Sequence, residues 1–497
     1  MNLHPPLTAW LERALPERLL EFLPPRRWFG AKARPIAGID VEDLAWLPGG
    51  RPCALAVVGV RFAAGGGRDR YSVVLAFVRE PDGLPVVGRI DERGDTTWVV
   101  EAATDAGAAR ALLGGFAPAS EQEYPMLHGG TLRYGDAGET TVRALADAFD
   151  REGVRAVGAE QSNTSLRLDR SLAFKLFRRL EDGENPELEM GRFLATRTPF
   201  RAMPMLRGSL TYVPARGESA TVGVLQDWIE SDGDGWQYVT RLLAEPDGAR
   251  RVLRDLHALG VTTADFHAAL AADPTLSTFA PEPVTPADVE GWRTSLLEGA
   301  SRTFRLVEQG LPAWPDEARR EAKAVLALQS RVATLAQALD LRAAEARLLK
   351  IRIHGDYHLG QTLKTDTGFS LIDFEGEPAR PLGQRRLKQC ALKDVAGMIR
   401  SFDYAVETVR PARSEAAAAA GDVRRLRQAF LDGYVSSVPS RRPTFLPDDP
   451  SALDTWIACF ETEKALYEVE YEINNRPGWV RIPLAGIRGI LGDVPGR

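Results

Sequence analysis

Ile353-His354-Gly355-Asp356-Tyr357-His358-Leu359-Gly360-Gln361 and Leu371-Ile372-Asp373-Phe374-Glu375 hold the densest chemistry in this sequence. Residues 351–354, 361–364 and 369–374 read as short strands. Asp356 and Gln361 then lie in a loop that leaves a strand, and Asp373 ends a later one. Asp356 and the amide of Gln361 are five residues apart, and Asp373 follows Asp356 by 17. Phosphoryl transfer from a nucleotide needs a carboxylate to orient the attacking hydroxyl and oxygen ligands to hold Mg²⁺ on the phosphates. Asp356 suits the first role, and Gln361 with Asp373 the second. Two loop carboxylates that merely cap turns would leave the same short trace.

The order of catalytic Asp, amide ligand and metal-binding Asp is that of protein kinases and their relatives. Gln361 is one methylene longer than the Asn usual at that place. Such a site also needs a lysine for the phosphates and a glutamate to pair with it. Lys175 sits in a strand-like run, Leu172-Ala-Phe-Lys-Leu-Phe177, and Glu189 follows it by 14 residues in a helix opened by Asn185-Pro186. Ser162, Asn163, Thr164 and Ser165 form the expected phosphate-covering turn, with hydroxyls and an amide in place of glycines. Gln226 and Trp228 fall where a hinge would hold adenine by its backbone. A snorkelling lysine and a solvated glutamate are the structural alternative for Lys175 and Glu189.

The 497 residues, 44% hydrophobic and 26% charged, suit two large lobes or about three domains. With 62 Lys+Arg against 68 Asp+Glu, the net charge of −6 argues against a broad nucleic-acid footprint. Cys53, Cys390 and Cys459 form neither a disulfide framework nor a metal spacing. The start, Met1-Asn2-Leu3-His4-Pro5-Pro6, lacks a signal-peptide pattern, and no apolar run is long enough for a bilayer. The expected location is cytoplasmic. Residues 53–62 and 70–78 read as a hairpin across Gly65-Gly66-Gly67, and 86–90 and 96–101 as further strands. Helical periodicity dominates after residue 250, including one span over 315–339. The expected class is α+β, a bilobal kinase-like fold with a strand-rich amino-terminal cap and a large helical C-lobe. Its divisions fall at 1–135, 136–224 and 225–497.

Several blocks together resemble one family. They are Arg26-Arg27-Trp28-Phe29-Gly30-Ala31-Lys32, Gln161–Ser165 with Lys175, Asn185-Pro186-Glu187-Leu188-Glu189, the 354–361 loop, Asp373-Phe374-Glu375-Gly376-Glu377-Pro378, residues 394–404 and residues 464–479. They resemble the bacterial maltokinases, within the aminoglycoside-phosphotransferase-like and eukaryotic-type kinase superfamily. The resemblance implies transfer of the γ-phosphate of ATP, with Mg²⁺, to the anomeric hydroxyl of maltose. The product, maltose 1-phosphate, feeds α-glucan synthesis, and a trehalose synthase is an implied partner. The sister family of glucosamine kinases shares the cap and the His-Gly-Asp block but tends to carry a neutral residue in place of Glu377. Aminoglycoside kinases are a further alternative in the same superfamily. An inactive kinase-like binding module is the alternative from another class, although Lys175, Asp356 and Asp373 are all present.

On a helical wheel Glu461, Lys464, Glu468, Glu472 and Asn475 share one stripe, flanked by Tyr467 and Tyr471. Lys464, Tyr467, Glu468, Tyr471, Glu472 and Asn475 are the expected sugar-binding residues, offering hydrogen bonds beside aromatic surface. A solvated face with i,i+4 pairs is the alternative. Lys464 would repel an amine substrate. His354 and His358 are expected to bond the loop and the metal-binding Asp, and no zinc site is expected from His257 or His267.

Overall fold

The computed structural model describes residues 5–492 apart from 50, 64–66, 93, 118–120, 136, 152, 158–161, 246, 341–347, 410–415, 439–444 and 448. Gly65, Gly66 and Gln161 therefore lie outside the described residues. The chain forms two compact units, Met1–Arg192 with Pro204–Glu230, and Phe193–Met203 with Ser231–Arg497.

The first unit holds two antiparallel sheets. One comprises β1 (Ile36–Trp46), β2 (Cys53–Phe62), β3 (Arg68–Val78), β4 (Val86–Glu92) and β5 (Asp95–Glu101), in the order β1-β2-β3-β5-β4. Strand β2 reads apolar at nearly every position because both of its faces are covered. Ala54, Ala56 and Val58 join the core that contains Leu15, Leu19 and Phe22 of the helix Leu15–Phe22. Leu55 and Val57 join the core of Ala108 and Leu112, from the helix Ala106–Leu113. Asp105 caps that second helix, accepting from Ala108 N at 2.9 Å.

The other sheet is built from β6 (Gln122–Pro125), β7 (Thr131–Tyr134), β8 (Val154–Val157), β9 (Asn163–Leu168), β10 (Leu172–Phe177), β12 (Leu206–Val213) and β13 (Ala220–Asp227). Its order is β6-β7-β12-β13-β10-β9-β8, and the short β11 (Arg179–Leu180) pairs with β3 of the first sheet. Lys175 lies in β10 with Ser165 and Val224 as its cross-strand neighbours.

The second unit is mostly helical, as periodicity indicated, with two small sheets that flank the 354–361 loop. Leu349–Ile351 pairs with Glu282–Pro283 and Gln389–Cys390, and Thr362–Thr365 pairs with Gly368–Leu371. The strand ahead of the loop stops at Ile351 rather than at His354, so His354 belongs to the loop. The span 315–339 is two helices, Asp316–Leu326 and Gln329–Ala338, not one. The helices Gly248–Leu270 and Ala416–Ser437 approach backbone to backbone at two glycines. A Cβ on Gly260 would fall on the Phe430 carbonyl oxygen and 2.8 Å from Tyr434 N, and one on Gly433 would fall on the His257 carbonyl. Gly260→Ala improves helix propensity but overfills a contact with no side chain to move. It should lower stability by about 1–3 kcal/mol, read as a reduced denaturation midpoint.

Candidate active site

In the second unit the 354–361 loop is fastened from below by one carboxylate. Asp394, 2% exposed, accepts from His354 N at 2.7 Å and from Gly355 N at 2.9 Å. His267 Nε2 lies 3.1 Å from Asp394 Oδ2, and His267 Nδ1 lies 2.9 Å from Tyr434 OH. Tyr357 OH meets Thr263 Oγ1 at 2.8 Å, and Leu359 N donates to Ser401 Oγ at 3.2 Å. Gly355 has φ 83°, a left-handed conformation that suits glycine, and a Cβ there would stand 3.4 Å from Gly376 Cα.

Asp373 is also left-handed, at φ 67°, one of three non-glycine residues so placed among those described. Such backbone gathers at functional sites. Gln361 Nε2 donates to Asp373 Oδ2 at 2.9 Å, so the two residues expected to share a metal are already side by side. His354 Nε2 bonds the Ile372 carbonyl at 2.9 Å, the residue before Asp373 rather than its carboxylate. His358 Nδ1 accepts from Gly360 N at 3.1 Å, and burial lowers the imidazole's pKa.

Asp356 borders a cavity of about 100 Å³ together with Glu377, Lys393, Glu463, Lys464 and Tyr467. Lys464 Nζ donates to Asp356 Oδ1 at 3.4 Å. Burial opposes the lysine's charge, but Asp356, Glu468 and Glu377 outweigh it and raise its pKa. Glu377 accepts from Arg380 Nε at 2.6 Å and Glu463 from Lys393 Nζ at 2.8 Å. These three carboxylates at the cavity are thus matched by cations, while Asp394, which also lines it, is held by backbone N–H groups and His267.

The first unit carries the lysine. Lys175 Nζ lies 3.6 Å from Glu187 Oε2, on the same helix as the expected Glu189. Both glutamates are buried on the helix Pro186–Arg197, whose first turn is capped by Asn185 Oδ1 accepting from Glu187 N at 2.8 Å. Asn163, Thr164 and Ser165, expected in a phosphate-covering turn, open the strand β9 instead; Thr164 is buried there, and its hydroxyl accepts from Arg178 Nε at 2.8 Å. Ser162 is exposed, and Asn163 and Ser165 are half-buried. Gln226 pairs with Ala173 and Leu206, and the Trp228 ring lies under Arg167 at 4.5 Å.

Residues 22–105 match the family model described as the maltokinase N-terminal cap domain. The amino-terminal part of the chain is thus similar to that cap domain. A glucosamine kinase of Mycolicibacterium smegmatis is 27% identical over 372 residues, 73% of this chain and 85% of the relative. One of Streptacidiphilus jiangxiensis is 26% identical over 358 residues, 70% of this chain and 76% of the relative. A solved glucosamine kinase in complex with glucosamine, ADP and inorganic phosphate superposes with TM-score 0.62 at 23% identity, covering 96% of this chain and 99% of that one. The family-model match bears out the resemblance to the maltokinases over the cap, and the superposition bears out the kinase-like α+β fold with a strand-rich cap and a helical carboxy-terminal region.

The carboxy-terminal stripe divides in two on the helix Pro450–Asn475. Lys464 and Tyr467 line the cavity. Glu468 instead accepts from Arg400 Nε at 3.0 Å and Nη2 at 2.8 Å. Glu472, 1% exposed, accepts from Tyr404 OH at 3.1 Å and Arg476 Nη2 at 2.6 Å. These two carboxylates anchor the helix. Tyr471 is exposed and its ring lies 6.5 Å from that of Tyr467, while Asn475 Nδ2 caps the Tyr471 carbonyl at 2.9 Å. Sequence reasoning missed Lys393, Glu463 and Arg380 at the cavity, which carry no motif of their own. Asp394→Asn supplies one accepting oxygen where two N–H groups and a histidine now converge. It should cost about 1–3 kcal/mol of stability and depress kcat more than either KM, as denaturation and steady-state assays would read.

Proposed function

We propose that this protein transfers the γ-phosphate of ATP to the anomeric hydroxyl of maltose, giving maltose 1-phosphate. In this reading Asp356 orients the hydroxyl and takes its proton as the oxygen bonds to the γ-phosphorus and the bond to ADP breaks. Lys464 holds Asp356 by its ion pair, and Lys175, braced by Glu187, meets the phosphates. Asp373 and Gln361 offer carboxylate and amide oxygens, a donor set that suits Mg²⁺. Among the described residues no group of three or more His, Cys, Asp or Glu side chains could cage a metal alone. An ion shared with nucleotide phosphates needs no such cage. Bound there, Mg²⁺ would neutralise phosphate charge. No helix among the described residues is long and apolar enough to cross a membrane. Cytoplasmic location and association with a trehalose synthase complete the proposal.

The observation that carries a neutral sugar is charge matching at the cavity. Asp356 faces Lys464, Glu377 faces Arg380, and Glu463 faces Lys393. An ammonium group would find no uncompensated carboxylate among those three. A glucosamine kinase is the second reading, favoured by the names of the two curated relatives. A panel of sugars in an ADP-release assay separates them: maltose should be the best acceptor, and preference for glucosamine would reverse the assignment.

Two substitutions test the roles. Asp356→Asn should cut kcat by about three orders of magnitude or more with nucleotide KM little changed, as loss of a transition-state contact implies. Tyr467→Phe should raise the maltose KM by about tenfold, the size of one hydrogen bond. Glu468→Gln, by contrast, leaves a buried arginine under-compensated and should cost stability, by about 3–5 kcal/mol at most, before it changes KM.

A further inference from the structure

Arg178 follows β10 directly, is 1% exposed, and has no part in the chemistry above. Its guanidinium joins three segments of the first unit. Nη1 lies 2.9 Å from Glu101 Oε1, at the end of β5 in the cap. Nε donates to Thr164 Oγ1 at 2.8 Å, on β9 of the other sheet. Cζ stands 4.8 Å from the centre of the Trp28 ring, inside the stretch 26–32. The main chain is fastened at the same point: Ser72 N donates to the Arg178 carbonyl at 2.9 Å, and Ser72 Oγ donates to the Phe177 carbonyl at 2.7 Å.

A guanidinium taken out of water is tolerated only where charge and hydrogen bonds compensate it. Here Glu101 supplies the charge, Thr164 an acceptor and Trp28 an aromatic face. Thr164 sits between Asn163 and Ser165, and Ser165 is the cross-strand neighbour of Lys175. The two cap contacts, Glu101 and Trp28, therefore bear through Arg178 on β9, the strand that holds Asn163, Thr164 and Ser165.

We propose that the cap, through Glu101 and Trp28 acting on Arg178, positions the start of β9 (Asn163–Ser165) and Lys175 for the phosphates of the nucleotide. This rests on the kinase reading of Lys175 given above. Arg178, Glu101 and Thr164 are positioning residues, since none of them touches a reacting atom. Weakening the link loosens nucleotide binding and spares the sugar cavity, which lies within the second unit.

The test uses the full chain and three readouts: the Kd of Mg·ADP by calorimetry, the sugar KM, and Tm. Thr164→Val, which removes one hydrogen bond, and Glu101→Gln, which removes the charge of the ion pair, should each raise the Mg·ADP Kd about three- to tenfold, with the sugar KM unchanged. Thr164→Ser keeps the hydroxyl and should bind Mg·ADP like the wild-type chain. An unchanged Kd in folded Thr164→Val overturns the proposal, and so does a Thr164→Ser weakened as much as Thr164→Val, which would assign the effect to packing. If Glu101→Gln does not fold, the Thr164 pair decides. A wild-type chain that binds no Mg·ADP overturns the kinase reading itself, a different result from a wild type that binds and variants that bind equally.

Discussion

One buried carboxylate sets the catalytic unit in order. Asp394 gathers the backbone N–H groups of His354 and Gly355 on one side and the imidazole of His267 on the other. A loop held by its backbone leaves the next side chain, that of Asp356, only its own rotamers to choose among. The same carboxylate draws in Tyr434 through His267, so the loop inherits the rigidity of two helices that touch at Gly260 and Gly433. Asp373 and Gln361 are tied to each other above this base. What the loop can do chemically follows from how little of it can move.

The parts of this architecture that were legible in sequence are those whose signal is local. Strands β2 and β3 show as β-branched runs, and the 354–361 loop shows as residue types at fixed spacing. Strand β1 was passed over because its apolar positions do not alternate; its register shifts at Ile36/Gly38 and at Val41/Asp43. The break between the helices Asp316–Leu326 and Gln329–Ala338 falls at Ala327 and Leu328, which carry no glycine or proline signal. For the site, a helical wheel gives direction but not neighbours. Glu468 and Glu472 share the stripe of Lys464, yet their partners Arg400 and Tyr404 stand 68 residues earlier in the chain. Glu187 and Glu189 pose the same difficulty at closer range. Both are buried on one helix, and only the structure shows Glu187 Oε2 at 3.6 Å from Lys175 Nζ.

The cap and the sheet that carries Lys175 belong to one compact unit, sewn together by β11 on β3 and by the buried arginine beside it. Here too the decisive residue had no motif. Arg178 reads in sequence as one of two consecutive arginines after a strand, and its burial depends on Glu101 and Thr164, remote from it in the chain and in different sheets.

The matched charges around the Asp356 cavity also govern how a molecule arrives there. A site lined by one sign of charge casts a field into solvent and draws ions from a distance, at rates that fall with salt. Opposite charges a few ångströms apart cancel beyond their own spacing, as with Lys464 and Asp356, Arg380 and Glu377, and Lys393 and Glu463. An uncharged molecule reaches such a mouth by plain diffusion at any ionic strength, and selection begins only at contact, where hydroxyl groups meet fixed donors and acceptors.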